Sequence, residues 1–390
     1  ARGTMRQALT GARVFTGEAI LTGHAVLIER DRIAGVVPEA AVPAAAGRIE
    51  LPGGLLAPGF VDLQVNGGGG VLLNDAPTVE GIATIARAHR RFGTTGLLPT
   101  LISDTPEVTD RAVTAVRDAI AAGVPGVLGI HLEGPHLAPE RKGIHDAARI
   151  RGLGEGDLER LTALPRTLGR TLVTLAPETV PAGTVRALAE AGVVVAAGHT
   201  AATYAQLRAA QDEGLAGFTH LFNAMSQLGA REPGAVGAAL DHEASFCGII
   251  ADGHHVHPAG LRLAYRVKGA GRLCLVTDAM AVTGSDLASF ELHGRRIFRR
   301  DGRLTSADGT LAGADLDMAT AVRNAVTLMG ASLEDALRMA STTPAARLGL
   351  GHGLGRLAPG YRADLVHLDD ALRVRATWSG GGMETAEPTG

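Results

Sequence analysis

Five titratable residues stand at or just beyond the ends of apolar, strand-like runs. Glu133 closes "GIHLE", His199 follows "VVVAAG", His220 follows "GFT", His255 follows "GIIADGH" and Asp278 follows "LCLVT". Two imidazoles and one carboxylate are a common protein set for catalytic zinc, and they leave a fourth position for water. A bound metal brings the pKa of that water towards neutrality. A carboxylate that stays off the metal then takes the proton and delivers it to a leaving group; Asp278 suits that role. One histidine at a strand end is more often a hydrogen-bonded structural residue, so the inference rests on five groups in equivalent places.

A second pattern lies upstream. In "GFVDLQVNGGGG", residues 59 to 70, Gln64 and Asn66 sit two apart near the end of an apolar strand. The two-residue period of a strand turns both amides to the same face. This is a spacing at which many metal enzymes place two histidines.

For these residues to meet, the fold must bring distant strand ends together. Apolar runs bounded by glycine alternate with Ala- and Arg-rich helical stretches, the pattern of a parallel α/β sheet. The runs fall near 59–66, 94–101, 126–133, 170–176, 192–198, 216–220, 245–251 and 272–278. Eight such units, with no GxGxxG after the first strand, favour a closed (β/α)8 TIM-like barrel over an open doubly wound sheet. The C-terminal ends of barrel strands converge on one mouth, which is where all five groups would be.

Both chain ends alternate short β-type runs with turns. They are expected to pair into one small β-sandwich domain from residues 1–57 and 353–380, around a barrel at 58–352 and with a frayed tail at 381–390. Residues 284–311 read as short strands inserted after the eighth run. A chain of 390 residues with 46% hydrophobic residues and 53 Gly has ample material for a large core. A formal net charge of -3 without a basic run gives no footprint for nucleic acid or an anionic membrane. No run approaches the roughly 18 apolar residues of a spanning helix, and the opening residues lack the apolar core of a signal peptide, so a cytoplasmic location is expected. Cys247 and Cys274 lie within apolar runs and read as small buried hydrophobes.

The stretches "PGFVDLQVNGGGG", "HLEGPHL", "KGIHD", "AGHT", "THLFNAM", "REPG", "DGHHV" and "LVTDAM", in this order, resemble the amidohydrolase superfamily and within it the N-acetylglucosamine-6-phosphate deacetylase family. The resemblance implies metal-dependent hydrolysis of N-acetyl-D-glucosamine 6-phosphate to glucosamine 6-phosphate and acetate, in amino-sugar catabolism and cell-wall recycling. It places metal ligands on Glu133, His199 and His220 and the catalytic aspartate on Asp278. It assigns His255, Asn223, the backbone of Ala224 and Arg231 to the sugar phosphate, and His145 to a sugar hydroxyl. His254 and His257 are left as bystanders.

Many amidohydrolases carry His-x-His where this chain has Gln64-Val65-Asn66. Neutral amides are poor zinc ligands beside imidazole and carboxylate. One divalent ion per chain is therefore expected, zinc foremost, with Fe2+, Co2+, Mn2+ or Cd2+ as substitutes. Gln64 would bond the metal-bound water or hold Glu133, and the glycines that follow would let backbone approach substrate. The resemblance also implies a homodimer, with part of the phosphate site donated by the neighbour. The alternatives are a deacetylase of another amino sugar such as N-acetylgalactosamine 6-phosphate, another amidohydrolase such as a cyclic amidase, or a catalytically dead scaffold. A cyclic amidase is disfavoured by the phosphate-binding stretch and by the lack of a candidate bridging lysine.

Overall fold

The structure is a computed structural model that describes residues 6–386. Eight parallel strands in sequence order form its central sheet: β1 (Phe60–Val65), β2 (Thr94–Ile102), β3 (Gly129–Glu133), β4 (Arg170–Leu175), β5 (Val194–Ala197), β6 (Gly217–Phe218), β7 (Phe246–Ile249) and β8 (Leu273–Leu275). Helices from Val79–Arg90 to Pro258–Lys268 fill the connections between them. Every residue of β1 and β2 is buried, as parallel strands covered on both faces require.

Closure occurs at the mouth. Val65 pairs with Ala279 beyond the end of β8, Asp278 N donates to Gln64 O at 3.0 Å and Asn66 N to Ala279 O at 2.9 Å. The backbone that completes the barrel therefore carries Gln64, Asn66 and Asp278. This is the (β/α)8 architecture the alternating runs predicted.

Strands from both chain ends interleave in a six-stranded sheet whose order is Gly382–Thr385, Val374–Ser379, Leu365–Leu368, Leu55–Pro58, Arg13–Phe15, Ile20–Leu21. A four-stranded sheet, Arg32–Pro38, His24–Glu29, Gln7–Thr10, Gly47–Glu50, joins it. Val14, Val26, Ile33, Leu56, Leu365 and Trp378 share one apolar cluster of this unit. The frayed tail expected from residue 381 is corrected in part: Gly382–Thr385 pairs antiparallel with Val374–Ser379, and Glu384 takes an ion pair from the buried Arg90 at 3.0 Å. Residues 387–390 and 1–5, also assigned from sequence, lie outside the described residues.

The insertion after β8 is a four-stranded meander, Ser289–Leu292, Arg295–Arg300, Arg303–Thr305 and Leu311–Ala314. His293 at its first turn bonds Asp104 at 3.1 Å, and Arg295 donates to the carbonyl of Ile144. The meander is thereby tied to the loops after β2 and β3.

Candidate active site

All five strand-end residues line one cavity of about 320 Å³ at the barrel mouth, together with Asn66, His145, Asn223 and Ala224. Left-handed backbone recurs there at non-glycine residues: His199 (φ 47), His220 (φ 33), Ala224 (φ 51) and Asp278 (φ 51). Such conformations are costly and gather at functional sites, where the surrounding fold holds them.

Glu133 is the hub of the site. It is buried, as are His145, His199 and His220 around it. His145 Nε2 lies 2.8 Å from Glu133 Oε1, His199 Nε2 3.7 Å from Oε1 and His220 Nε2 3.5 Å from Oε2. Burial alone would raise the carboxyl's pKa, but the bond to His145 and the closeness of His199 and His220 hold it well below the ordinary range. Burial also pushes His145 down, to about 4, with the charge of His199 adding to the effect. For His220 burial is outweighed by the bond and charge of Glu133, and its pKa rises.

The orientation of His199 shows what the cluster is built for. Its Nδ1 donates to the carbonyl of Arg141 at 2.8 Å, so its Nε2 presents a lone pair. That lone pair faces His220 Nε2 only 3.2 Å away. Two imidazole nitrogens converging beside a carboxylate form a donor set that a divalent cation satisfies. Donor atoms of Glu133, His145 and His199 all lie within 4.8 Å of one another. The structure therefore brings four candidate ligands together where the sequence named three: His145, expected as a sugar contact, lines the cavity and also bonds Glu133. Ser103, which sequence did not single out, holds the other face of His145, Oγ to Nδ1 at 2.9 Å.

The two amides each serve one carboxylate. Gln64 Nε2 donates to Glu133 Oε2 at 2.5 Å, and Asn66 Nδ2 donates to Asp278 Oδ1 at 2.6 Å. Gln64 is thus held behind Glu133, while Asn66 and Asp278 line the cavity. Burial raises the pKa of Asp278 to about 6, with the charge of Glu133 as the next cause. Deeper in the barrel Asp62 accepts from Thr277 Oγ1 at 2.5 Å and from the backbone of Gln64 and Thr277, and burial lifts its pKa to about 7. The glycines after Asn66 do not approach the cavity. A Cβ on Gly67 would meet Val71 O at 2.4 Å and one on Gly68 would meet His89 Nε2 at 2.9 Å, so these two serve a tight hairpin and a helix contact.

His255 is fixed by Asp252, Nδ1 to Oδ2 at 2.6 Å, and lines the cavity. His254 is exposed, and His257 caps the helix Pro258–Lys268 by accepting from Ala259 N at 3.0 Å. Asn223 and Ala224 also lie in the wall, whereas Arg231 is exposed and outside it. Cys247 and Cys274 are free and buried, and burial raises both thiol pKa values.

Carboxylate and imidazole donors converging at the C-terminal mouth of a barrel form a site that can hold a catalytic metal ion. The chain belongs to the Amidohydrolase family, which it matches over residues 55–383, and residues 7–56 match the NagA composite domain. It is 44% identical to an N-acetylgalactosamine-6-phosphate deacetylase of Shewanella sp. (strain ANA-3), over 95% of this chain and 94% of that one. The solved N-acetylglucosamine-6-phosphate deacetylase of Pasteurella multocida is 36% identical, with a TM-score of 0.94 over 98% of this chain and 100% of that one. A variant of the Mycobacterium smegmatis N-acetyl-D-glucosamine-6-phosphate deacetylase, solved in complex with N-acetyl-D-glucosamine-6-phosphate, is also 36% identical, with a TM-score of 0.90 over 97% and 99% of the two chains.

Proposed function

We propose that the protein hydrolyses the acetamide of N-acetyl-D-glucosamine 6-phosphate, releasing D-glucosamine 6-phosphate and acetate, in amino-sugar catabolism and cell-wall recycling. The observation that carries this reading is the placement of Asp278, clamped by Asn66, in the same cavity as Glu133 and its histidines. Glu133, His199 and His220 would hold one divalent ion, zinc foremost. When bound there, it polarises the acetamide carbonyl and acidifies water.

Asp278 accepts a proton from the water whose oxygen bonds the acetamide carbon and returns it to the nitrogen as the C–N bond breaks, so that acetate and the amine are released. Asn66 occupies Oδ1 of Asp278, so Oδ2 is the oxygen left to carry the proton. Gln64 keeps Glu133 in place. Asn223, Ala224 and His255 hold the sugar phosphate, whose remote binding energy fixes the acetamide against the reacting groups.

The C4 epimer, N-acetyl-D-galactosamine 6-phosphate, is a second reading, favoured by the 44% identity to the Shewanella enzyme. Acetate release from the two phosphorylated epimers and from unphosphorylated N-acetylglucosamine, with metal analysis of the same sample, tests both. Equal rates with and without phosphate would sink them together.

A homodimer belongs to this proposal. Arg231 is exposed and outside its own cavity, and Leu228 on the same loop is 60% exposed. Mixing Arg231→Ala with Asp278→Asn subunits should regain activity if Arg231 reaches a partner's cavity, and a mixture as inactive as its parts would count against that arrangement. We place the enzyme in the cytoplasm, where a phosphorylated sugar is retained; two unpaired cysteines agree, and among the described residues no helix is long and apolar enough to cross a membrane.

A further inference from the structure

Between Ala138 and His145 the chain forms a strap that is bonded repeatedly to the candidate metal ligands. Ala138 N donates to His199 O at 2.9 Å, the carbonyl of Arg141 accepts from His199 Nδ1 at 2.8 Å, and His145 closes on Glu133 at 2.8 Å. Gly143, at φ +55, lets the strap lie close: a Cβ there would stand 3.3 Å from His199 Cε1 and 4.0 Å from the Cβ of Ala224. Gly143 therefore lies beside Ala224, and Arg141, Gly143, Asn223 and Ala224 line the same cavity.

The backbone of Arg141 is committed but its side chain is not. The residue is half-buried and lines the cavity. Among the described residues its guanidinium has no hydrogen-bond or ion-pair partner. Among the described residues that line the cavity it is the one Lys or Arg, and the acidic residues there are Glu133, Glu140 and Asp278. A guanidinium withdrawn part-way from water and left unpaired is poised for an anion, and its planar fork suits the oxygens of a phosphate. Arg231 lies outside the same wall.

We propose that Arg141 binds the substrate's phosphate from within the same subunit and sets the preference for phosphorylated sugars. The inference rests on the reading of the substrate as an amino-sugar phosphate. Because the same residue's carbonyl steadies His199, anion capture by the side chain and alignment of that histidine share one strap.

The test uses wild type, Arg141→Ala and Arg141→Lys, with kcat and KM measured on N-acetylglucosamine 6-phosphate and on N-acetylglucosamine. Competition by inorganic phosphate and bound metal are measured on each protein. Arg141→Ala should lower kcat/KM on the phosphorylated sugar roughly tenfold to a hundredfold, mainly through KM, as expected for loss of a charge-assisted contact made alike in ground and transition states. The inhibition constant for inorganic phosphate should rise by a similar factor, Arg141→Lys should recover part of both, and metal content and the unphosphorylated reaction should hold. An equal fall on both sugars, loss of metal, or unchanged phosphate competition would each overturn the assignment. Failure of the substrate reading itself has a separate signature, namely wild-type enzyme releasing acetate from neither sugar; titration of inorganic phosphate into wild type and Arg141→Ala then still decides the role of Arg141.

Discussion

Asn66 donates through Nδ2 to Asp278 Oδ1 across 2.6 Å, between residues 212 positions apart in the chain. The bond lies beside the backbone contacts that close β1 onto the end of β8, so barrel closure and the aim of the candidate catalytic acid share one seam. Removing the amide frees Asp278 to turn without disturbing Glu133, which Gln64 holds separately. Asn66→Ala should therefore keep its metal and its KM and lose about tenfold in kcat, the scale of one misdirected hydrogen bond. Steady-state kinetics with metal analysis check this, and a variant that loses its metal would show that Asn66 supports the ligands instead.

Asp278 itself gives a pH signature. Burial, then the charge of Glu133, raises its pKa to about 6, so the base is protonated below that value and ionised above it. Activity should fall as pH drops through an acid limb at or below about 6, since a bound cation can only lower the limb. Asp278→Asn should keep the metal, lose on the order of a hundredfold or more in turnover and lose that limb. A pH-rate profile rising towards acid would contradict the assignment.

Four residues compete for the role of ligand, and metal content separates them. His199→Ala and His220→Ala should each lose the ion and activity together, because two remaining protein ligands bind weakly. His145→Asn should retain the ion and lose activity if His145 serves substrate. Loss of metal from the His145 variant would instead favour the Glu133, His145, His199 set, whose donor atoms lie within 4.8 Å of one another.

Asp62 is buried beneath the site with a folded pKa of about 7 against an ordinary 3.8. Between those values the folded state keeps a proton that the unfolded chain has released, so stability falls as pH rises through the window and levels off above it. Asp62→Asn removes this loss, and Thr277 Oγ1 retains the carbonyl of Gln64 as an acceptor at 3.4 Å. The variant should gain on wild type by an amount that grows between pH 5 and pH 8, on the order of 1 to 4 kcal/mol. Urea unfolding at the two pH values measures it; an identical difference at both would mean that Asp62 does not carry the shifted titration.

By itself the sequence determined the barrel and the location of its chemistry. Alternating runs and helices set eight parallel strands, and because barrel strands all point one way, residues at their ends share a mouth whatever their separation in the chain. Glu133, His199, His220, His255 and Asp278 were legible for that reason, and period-two geometry placed Gln64 and Asn66 on one face. Periodicity gives direction, not register or closure. Which carboxylate each amide meets, Glu133 at 69 residues' distance or Asp278 at 212, depends on how β1 seats against β2, β3 and the end of β8. The loops lay further beyond reach. The strap that presses His145 onto Glu133 and carries Arg141 into the cavity wall, and the hairpin that turns Gly67 and Gly68 away from it, have no period to read. Only packing against neighbouring strand ends decided where those side chains went.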